Sequence, residues 1–314
     1  GKIGLGGMDL SEDGNTLYVI SLGDRRLYQL DSSVLNTRPS LASPTTPLVT
    51  TFKNPSVAIP TGICANPVDA RPFASKFYDG FLYVGVTCTG ESTIPLLAPT
   101  ATSGTTSRGD LTQLRAVVWR FNPSTQLFDN APGMPTNPVL NFSLNYPRGC
   151  IAPVEFGNSL PSLSVANQGG ACNPNGAGFD ARGLWQPWQP NWQVIFSDVA
   201  PFNIQNDPFY IEYPQPMLSD IEIDGAGAMI LAIRDLNGDK VGYCSGSPNT
   251  GEGAAPGTAP GIAGCGTTTN GGSTHRGNGE GDILRACGTA TSGWTLESAG
   301  TCGGVTAKIG RAHV

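Results

Sequence analysis

The residues best suited to chemistry form a short acidic run. Asp235, Asn237 and Asp239 occupy alternate positions in the sequence DLNGDK, and side-chain oxygens at this spacing are typical of calcium-binding loops. An EF-hand loop is incomplete here, because Lys240 stands where such a loop needs glycine and Gly246 where it needs a bidentate glutamate. The Asn-Gly pair within the run also predicts a hairpin turn between the apolar segments on either side, which needs no metal. The sequence leaves both interpretations open.

Other residue types that support catalysis are sparse. His275 lies in GGSTHRGNG, a run of small polar residues that predicts a loop without the orienting partner that a general base requires. Four carboxylates near predicted strand ends leave hydrolysis by a carboxylate pair open: Asp198, Asp220, Glu222 and Asp224. Acidic residues at such positions more often cap turns, so we expect no catalytic residues.

Composition and charge restrict the classes of protein to which the chain can belong. It has 314 residues and a formal net charge of -6, and its 18 Lys and Arg form no basic run, so we expect no nucleic-acid partner. Charged residues make up only 13%, whereas 42 Gly and 26 Pro favour strands and loops over helices. No apolar stretch approaches the roughly 18 residues of a membrane-spanning helix, so no membrane insertion is expected.

Cysteine usage indicates an oxidising compartment. The chain has 8 Cys, and none forms the C-x-x-C pair that zinc sites and redox motifs favour. Free buried thiols are one alternative. Several of these cysteines bracket Gly-rich segments too polar to pack by themselves, which favours disulfides in an extracellular or cell-surface protein. We expect sequential pairing: Cys64 with Cys88, Cys150 with Cys172, Cys244 with Cys265, and Cys287 with Cys302.

Three segments repeat one pattern of short apolar strands and acidic-Gly turns. The pattern is nearly complete in residues 8–31, returns in 77–86 and recurs more weakly in 219–235, while 282–298 predicts a hairpin with a Ser-Gly turn. Such repetition predicts an all-β chain, a β-propeller of four-stranded antiparallel blades. The residues expected in equivalent middle strands are Leu17, Tyr18, Val19, Leu82, Tyr83, Val84, Ile230 and Leu231.

The rest of the sequence predicts one domain, residues 1–308, interrupted by polar insertions at about 91–110, 157–183 and 246–281. Between the last two insertions, Trp185, Trp188 and Trp192 are separated by prolines and cannot all face the core side of one strand. Residues 309–314, IGRAHV, look like a translated sequencing adapter. We therefore expect both ends to be cuts, with an export signal upstream and an incomplete ring of blades.

The segments GLGGMDLSEDGNTLYVISLGDRRLYQL, ARPFASKFYDGFLYVGVTCTGE, LNYPRGC, YPQPMLSDIEIDGAGAMILAIRD and GDILRACGTATSGWTLES resemble the propeller-like region of large bacterial cell-surface proteins that carry SdrD B-like or related adhesin repeats. The resemblance implies an exported, non-catalytic module that presents loops to an extracellular protein or glycan. It supplies no catalytic residues and no cofactor, and the calcium hypothesis stays independent of it. The alternative is a secreted propeller hydrolase, lactonase-like or glycan-active, that uses Asp or Glu with calcium.

Overall fold

The structure is a computed structural model. It describes residues 4–32, 52–94, 109–128, 138–146, 184–189, 214–236 and 281–297, and only the backbone of five further short strands. This part of the chain is mostly β-structure, as the composition predicts. The strands are β1 (Leu5–Leu10), β2 (Thr16–Ser21), β3 (Arg26–Asp31), β4 (Phe52–Ala58), β5 (Ala70–Tyr78), β6 (Phe81–Cys88), β7 (Arg115–Asn122), β8 (Leu127–Phe128), β9 (Leu140–Ser143), β10 (Tyr210–Ile211), β11 (Pro216–Ile223), β12 (Met229–Asp235), β13 (Ser245–Gly246), β14 (Thr274–Gly277), β15 (Asp282–Thr289), β16 (Gly293–Leu296), β17 (Thr301–Cys302) and β18 (Val305–Thr306).

Three antiparallel sheets carry most of this structure. Sheet 1 has the order β1-β2-β3-β4, sheet 2 the order β5-β6-β7-β8 with β9 also paired to β7, and sheet 3 the order β11-β12-β15-β16. The strands β2, β6 and β12 are the second strands of their sheets, and each lies between two neighbours. They contain all eight residues that the repeats assign to equivalent middle strands, so that prediction is confirmed.

The acidic-Gly turns of the repeats form tight hairpins. Between β5 and β6, Asp79 (φ 51°) and Gly80 (φ 77°) both adopt left-handed backbone, and Tyr78 pairs with Phe81 across them. Two consecutive left-handed residues are the geometry of a type I′ turn, whose twist matches that of the flanking strands. The DG pair therefore sets the register of the β5–β6 hairpin from the turn as far as Ala74, which pairs with Gly85.

The hairpin of β15 and β16 completes sheet 3. The strands β15 and β16 form the predicted hairpin, with Thr289 opposite Gly293, and β15 pairs with β12. Both edges of β12 are consequently occupied over Met229–Ile233, by β11 on one side and β15 on the other. Asn237 and Gly238 lie outside the described residues, so the hairpin interpretation of this pair stays a prediction.

Sheet 2 packs against a neighbour on each face. Along β6, Leu82 and Val84 lie in an apolar cluster with Tyr18, Ile20 and Leu27 of sheet 1. The intervening residues face the other way: Tyr83 lies in a second cluster with residues of sheet 3, and a Cβ on Gly85 would come within 2.7 Å of the Leu218 side chain. Because alternate side chains of β6 point to opposite faces, this one strand contributes to both of the cores between sheets.

The first strands of the three sheets lie side by side. The strand β5 contacts β1 of sheet 1 and β11 of sheet 3. The approach of β1 to β5 is close, because a Cβ on Gly7 would lie 2.5 Å from the carbonyl oxygen of Phe73. Small residues are therefore required where these edges meet. The described residues form this series of three sheets and do not show a closed ring.

A buried connecting segment, residues 184–189, fills the space between sheets 2 and 3. The backbone N–H of Trp188 donates to the Thr89 carbonyl (3.0 Å), and its indole N–H donates to the Pro216 carbonyl (2.7 Å). Trp185 and Trp188 lie in separate apolar clusters, as expected from the prolines between the tryptophans, while Trp192 lies outside the described residues. This segment belongs to no sheet, and the N–H groups of Gln186 and Trp188 donate instead to carbonyls next to the strands β11 and β6.

Candidate functional site

Charged side chains from all three sheets meet on the first strands. Lys76 of β5 forms an ion pair with Glu222 of β11 (2.6 Å), and Asp9 of β1 and Asp220 of β11 are close enough to raise the pKa of Lys76. We call these four residues the charged row. The topology brings together Asp220 and Glu222, which the sequence singled out, while Asp9 and Lys76 were not predicted because they depend on the contacts between sheets.

The electrostatics of the charged row follow from its mixture of burial and charge. Burial lowers the pKa of Lys76, but the hydrogen bond and charge of Glu222, with the charges of Asp9 and Asp220, raise it overall. Burial, together with the neighbouring charges of Glu222 and Asp9, raises the pKa of Asp220 despite the Ile221 N–H that it accepts. The row therefore holds a firmly protonated lysine among three carboxylates.

The carboxylates of the charged row serve structural contacts. Asp9 accepts hydrogen bonds from the N–H of Phe77 (2.6 Å) and the N–H of Leu10 (2.9 Å), so it satisfies a donor on the outer edge of β5. The Glu222 side chain is 57% exposed and its oxygen is held by Lys76. Within the described ranges, no three His, Cys, Asp or Glu residues come close enough to hold a metal ion. The geometry is that of a surface ion-pair row.

Asp224 caps a turn, which is the alternative that the sequence favoured for it. Its carboxylate accepts hydrogen bonds from the N–H groups of Ala226 (2.8 Å) and Ala228 (2.9 Å), and it forms an ion pair with Arg285 (2.8 Å). Burial raises the pKa of Asp224, but these hydrogen bonds and the Arg285 charge outweigh that effect and lower it overall. Asp198 lies outside the described residues.

The calcium hypothesis involves one described residue. Asp235 is buried at the end of β12, where its carboxylate accepts the backbone N–H of Gln215 (2.8 Å). This contact fixes the start of β11 against the end of β12. Asn237 and Asp239 lie outside the described residues, so the calcium site stays a prediction. The loop prediction for His275 is wrong, because its backbone lies in β14, opposite Ser245 of β13.

The first predicted disulfide is confirmed. Cys64 and Cys88 are joined, and both lie in the apolar cluster between sheets 1 and 2. Cys287 is also disulfide-bonded, and the side chain of its predicted partner Cys302 is not described. The other predicted pairs lie outside the described residues: Cys150 with Cys172, and Cys244 with Cys265.

Sheet 1 has an exposed apolar face that the sequence did not predict. The pairing of Leu5 with Ser21, Met8 with Val19 and Leu10 with Leu17 places alternate residues of β1 and β2 on the side opposite the buried core. Four side chains there are about half exposed or more: Leu5 at 63%, Met8 at 55%, Leu10 at 48% and Phe52 at 59%. We call this side the free face of sheet 1. The signal in the sequence was β2 itself, which is apolar on both faces, as strands covered on both sides are.

A groove lies between the outer strands of sheets 2 and 3. It has a volume of about 620 Å³ and is lined by Ile63, by residues 138–142 on and before β9, and by residues 294–296 of β16. No ionisable side chain is among these lining residues. A volume of this size is within the range of ligand sites.

Comparison with known protein families, with curated proteins and with solved structures found no match. Among the described residues, no helix is both long and apolar enough to span a membrane. The assignment of a function therefore rests on the geometry of the free face, the charged row and the groove.

Proposed function

We propose that the chain is a non-catalytic binding and scaffold module of a bacterial cell-surface protein, with a β-propeller architecture in which sheets 1, 2 and 3 are consecutive blades. Three observations support the architecture: repeated four-stranded order, equivalent second strands, and first strands that lie side by side. In a propeller the first strands of the blades surround the axis, and the faces of neighbouring blades pack together. Sheet 2 has this packing on both faces.

The free face of sheet 1 carries the proposal of a binding role. Soluble proteins rarely leave a contiguous apolar area of this kind uncovered, and such areas mark contacts with other proteins. Tyr28 and Phe52 extend the face across sheet 1, with their ring centroids 5.5 Å apart. Polar groups border it, since the Arg26 guanidinium donates to the Ser56 hydroxyl (2.8 Å). An apolar centre with a polar rim is the usual anatomy of a protein interface.

The disulfides support an extracellular location. A bond between Cys64 and Cys88, 24 residues apart, staples the loop before β5 to the end of β6. Disulfides of this structural kind persist in oxidising compartments and are rare in the cytosol. This supports our proposal that the module lies outside the cell, with an extracellular protein or glycan as its partner.

A side-by-side measurement of binding and turnover tests this function. Bacteria displaying the chain would be assayed for adhesion to immobilised extracellular-matrix proteins and glycans, and the purified chain for hydrolysis of lactones and glycosides. We expect saturable adhesion that a Met8→Asp, Leu10→Asp double variant loses, and no turnover. An Asp220→Asn, Glu222→Gln variant serves as the matched control and should adhere normally. Turnover that this control abolishes would contradict the proposal and support the hydrolase alternative.

A further inference from the structure

The two outer strands that border the groove have backbone groups that point away from their own sheets. Glu297 donates its N–H to the Arg285 carbonyl (2.9 Å), and Cys287 pairs with Thr295 in the same register. In an antiparallel pair, alternate residues exchange hydrogen bonds with the neighbour while the residues between them face the other way. The N–H and C=O groups of Trp294 and Leu296 therefore face the outer edge of β16.

The strand β9, on the other side of the groove, also has backbone groups that point away from its own sheet. Leu144 donates its N–H to the Leu114 carbonyl (2.9 Å), and Phe142 pairs with Ala116 in that register. By the same alternation, the backbone N–H and C=O of Asn141 face away from β7. Within the described part of the chain, β9 pairs only with β7 and β16 only with β15. The groove thus lies between two strand edges whose outward-facing backbone N–H and C=O groups have no partner strand among the described residues.

We propose that this groove binds an extended, uncharged peptide segment that adds as a strand to the edge of β16. An edge with unpaired N–H and C=O groups at strand spacing is complementary to another extended backbone. The four residues of β16 span about 13 Å, enough to pair with roughly four residues of a ligand. The uncharged lining excludes a charged segment, because burying an unpaired charge there is costly.

The side chains around the groove specify the kind of peptide. Ile63, Leu140 and Phe142 offer apolar contacts, while Asn141 and Thr295 are exposed polar residues at its opening. A strand presents alternate side chains to opposite sides. The best ligand therefore alternates apolar residues, which face the groove, with small polar residues, which face water.

This inference rests on the proposed binding function and names a second surface for it. The groove involves sheets 2 and 3, whereas the free face belongs to sheet 1. A peptide that fails to bind would overturn the groove proposal alone, because the adhesion experiment depends on Met8 and Leu10.

The test uses the pentapeptide amide Thr-Val-Thr-Val-Thr-NH2, with an uncharged fluorophore on its N-terminus, and two N-methylated forms of it. One form is methylated on the threonines and the other on the valines, so each blocks one edge of the peptide strand. Fluorescence anisotropy with the full chain should show that one methylated form binds at least tenfold more weakly than the unmethylated peptide, and that the other binds as well as it does. Equal binding of all three peptides, or no binding of any, would overturn the proposal.

Variants of the protein give an independent readout. Thr295→Glu introduces a negative charge at the groove opening and should weaken binding of the parent peptide about tenfold. Ser124→Glu adds the same charge at an exposed position in the β7–β8 turn and should leave binding unchanged. The N-methylated peptides leave the protein unaltered, so they decide the question even if Thr295→Glu disturbs folding. Equal affinity of both variants for the peptide would count against the groove.

Discussion

Among the described residues, sheets 1 and 3 each pack one face against sheet 2, yet their other faces differ in chemistry. The free face of sheet 1 exposes Leu5, Met8, Leu10 and Phe52. The corresponding side of sheet 3 places Glu222, Ile230 and Arg285 in one register across β11, β12 and β15. Charged side chains flank Ile230 on that side of sheet 3, whereas the free face of sheet 1 has apolar side chains at its centre.

The difference predicts different surroundings for the two faces. A strand face whose centre is apolar gains free energy when another surface removes it from water, at roughly 25 cal/mol per Å². A face with Lys76–Glu222 and Arg285–Asp224 ion pairs along its borders would lose solvation if it were covered. We therefore expect a partner on sheet 1 and water on sheet 3.

The largest effects on the free energy of unfolding are expected on the faces of sheets 1 and 3 that pack against sheet 2. Ile20 of sheet 1 and Leu231 of sheet 3 are both fully buried. Ile20→Ala and Leu231→Ala should each lower the free energy of unfolding by about 3 kcal/mol, because each leaves a cavity in a packed core. Ile230→Ala, on the water-facing side of β12, should cost less than half as much. Chemical denaturation measures all three, and equal losses would show that the assignment of faces is wrong.

The disulfide should stabilise the sheet 1 side of the molecule. In the loop-entropy model, a crosslink between residues 24 apart contributes about 3 kcal/mol. A Cys64→Ser, Cys88→Ser double variant should therefore unfold at a lower denaturant concentration. A Cys64→Ala, Cys88→Ala double variant, which lacks the bond but buries no hydroxyl, is the control for the serine side chains. A double variant as stable as the wild type would show that the bond is dispensable.

The ion pair between Asp224 and Arg285 in sheet 3 should make a smaller contribution to the free energy of unfolding, and this contribution should depend on pH. The pKa of Asp224 is lowered in the folded protein, so its contribution is present above the unfolded pKa of 3.8 and is lost as the pH falls through the folded value. Asp224→Asn should lower stability by about 1 kcal/mol at neutral pH. The difference from wild type should shrink below about pH 4. A difference that stays constant down to pH 2 would contradict a role for the charge.

The smallest effect on stability is expected on the free face. Met8→Gln and Phe52→Gln should change the free energy of unfolding by less than about 0.5 kcal/mol, because these side chains are already largely in water. The same variants should reduce the binding of a hydrophobic dye such as ANS. Ile283→Gln, at an exposed position in sheet 3, is the control and should leave dye binding unchanged.

Local patterns in the sequence predicted much of the fold. The DG turns, the apolar runs of β2, β6 and β12, and the hairpin after Asp282 are encoded within a few residues, so they could be recognised directly. The pairing of β12 with β15 could not, since about 50 residues separate these strands in the sequence. Nothing in the sequence next to β12 indicates this distant partner strand.

The candidate sites were harder to predict, because they form between sheets. Lys76 is one residue in an apolar strand, and only the packing of β5 on β11 brings it to Glu222. The position of the groove depends on which strands are the last in their sheets. The position of the free face depends on which face of sheet 1 is not packed against sheet 2. The Cys64–Cys88 bond was predicted because both residues bracket one short segment.

Methionine oxidation tests most directly whether the free face of sheet 1 is a contact surface. Met8 is 55% exposed on that face, whereas Met217 and Met229 are buried at 3% and 0% and provide internal controls. Dilute peroxide, followed by mass spectrometry, should oxidise Met8 much faster than the other two in the purified chain. On intact cells that display the chain and adhere to their partner, we predict that Met8 becomes protected to the level of Met217. Oxidation of Met8 at the same rate in adherent cells and in the purified chain would contradict the account.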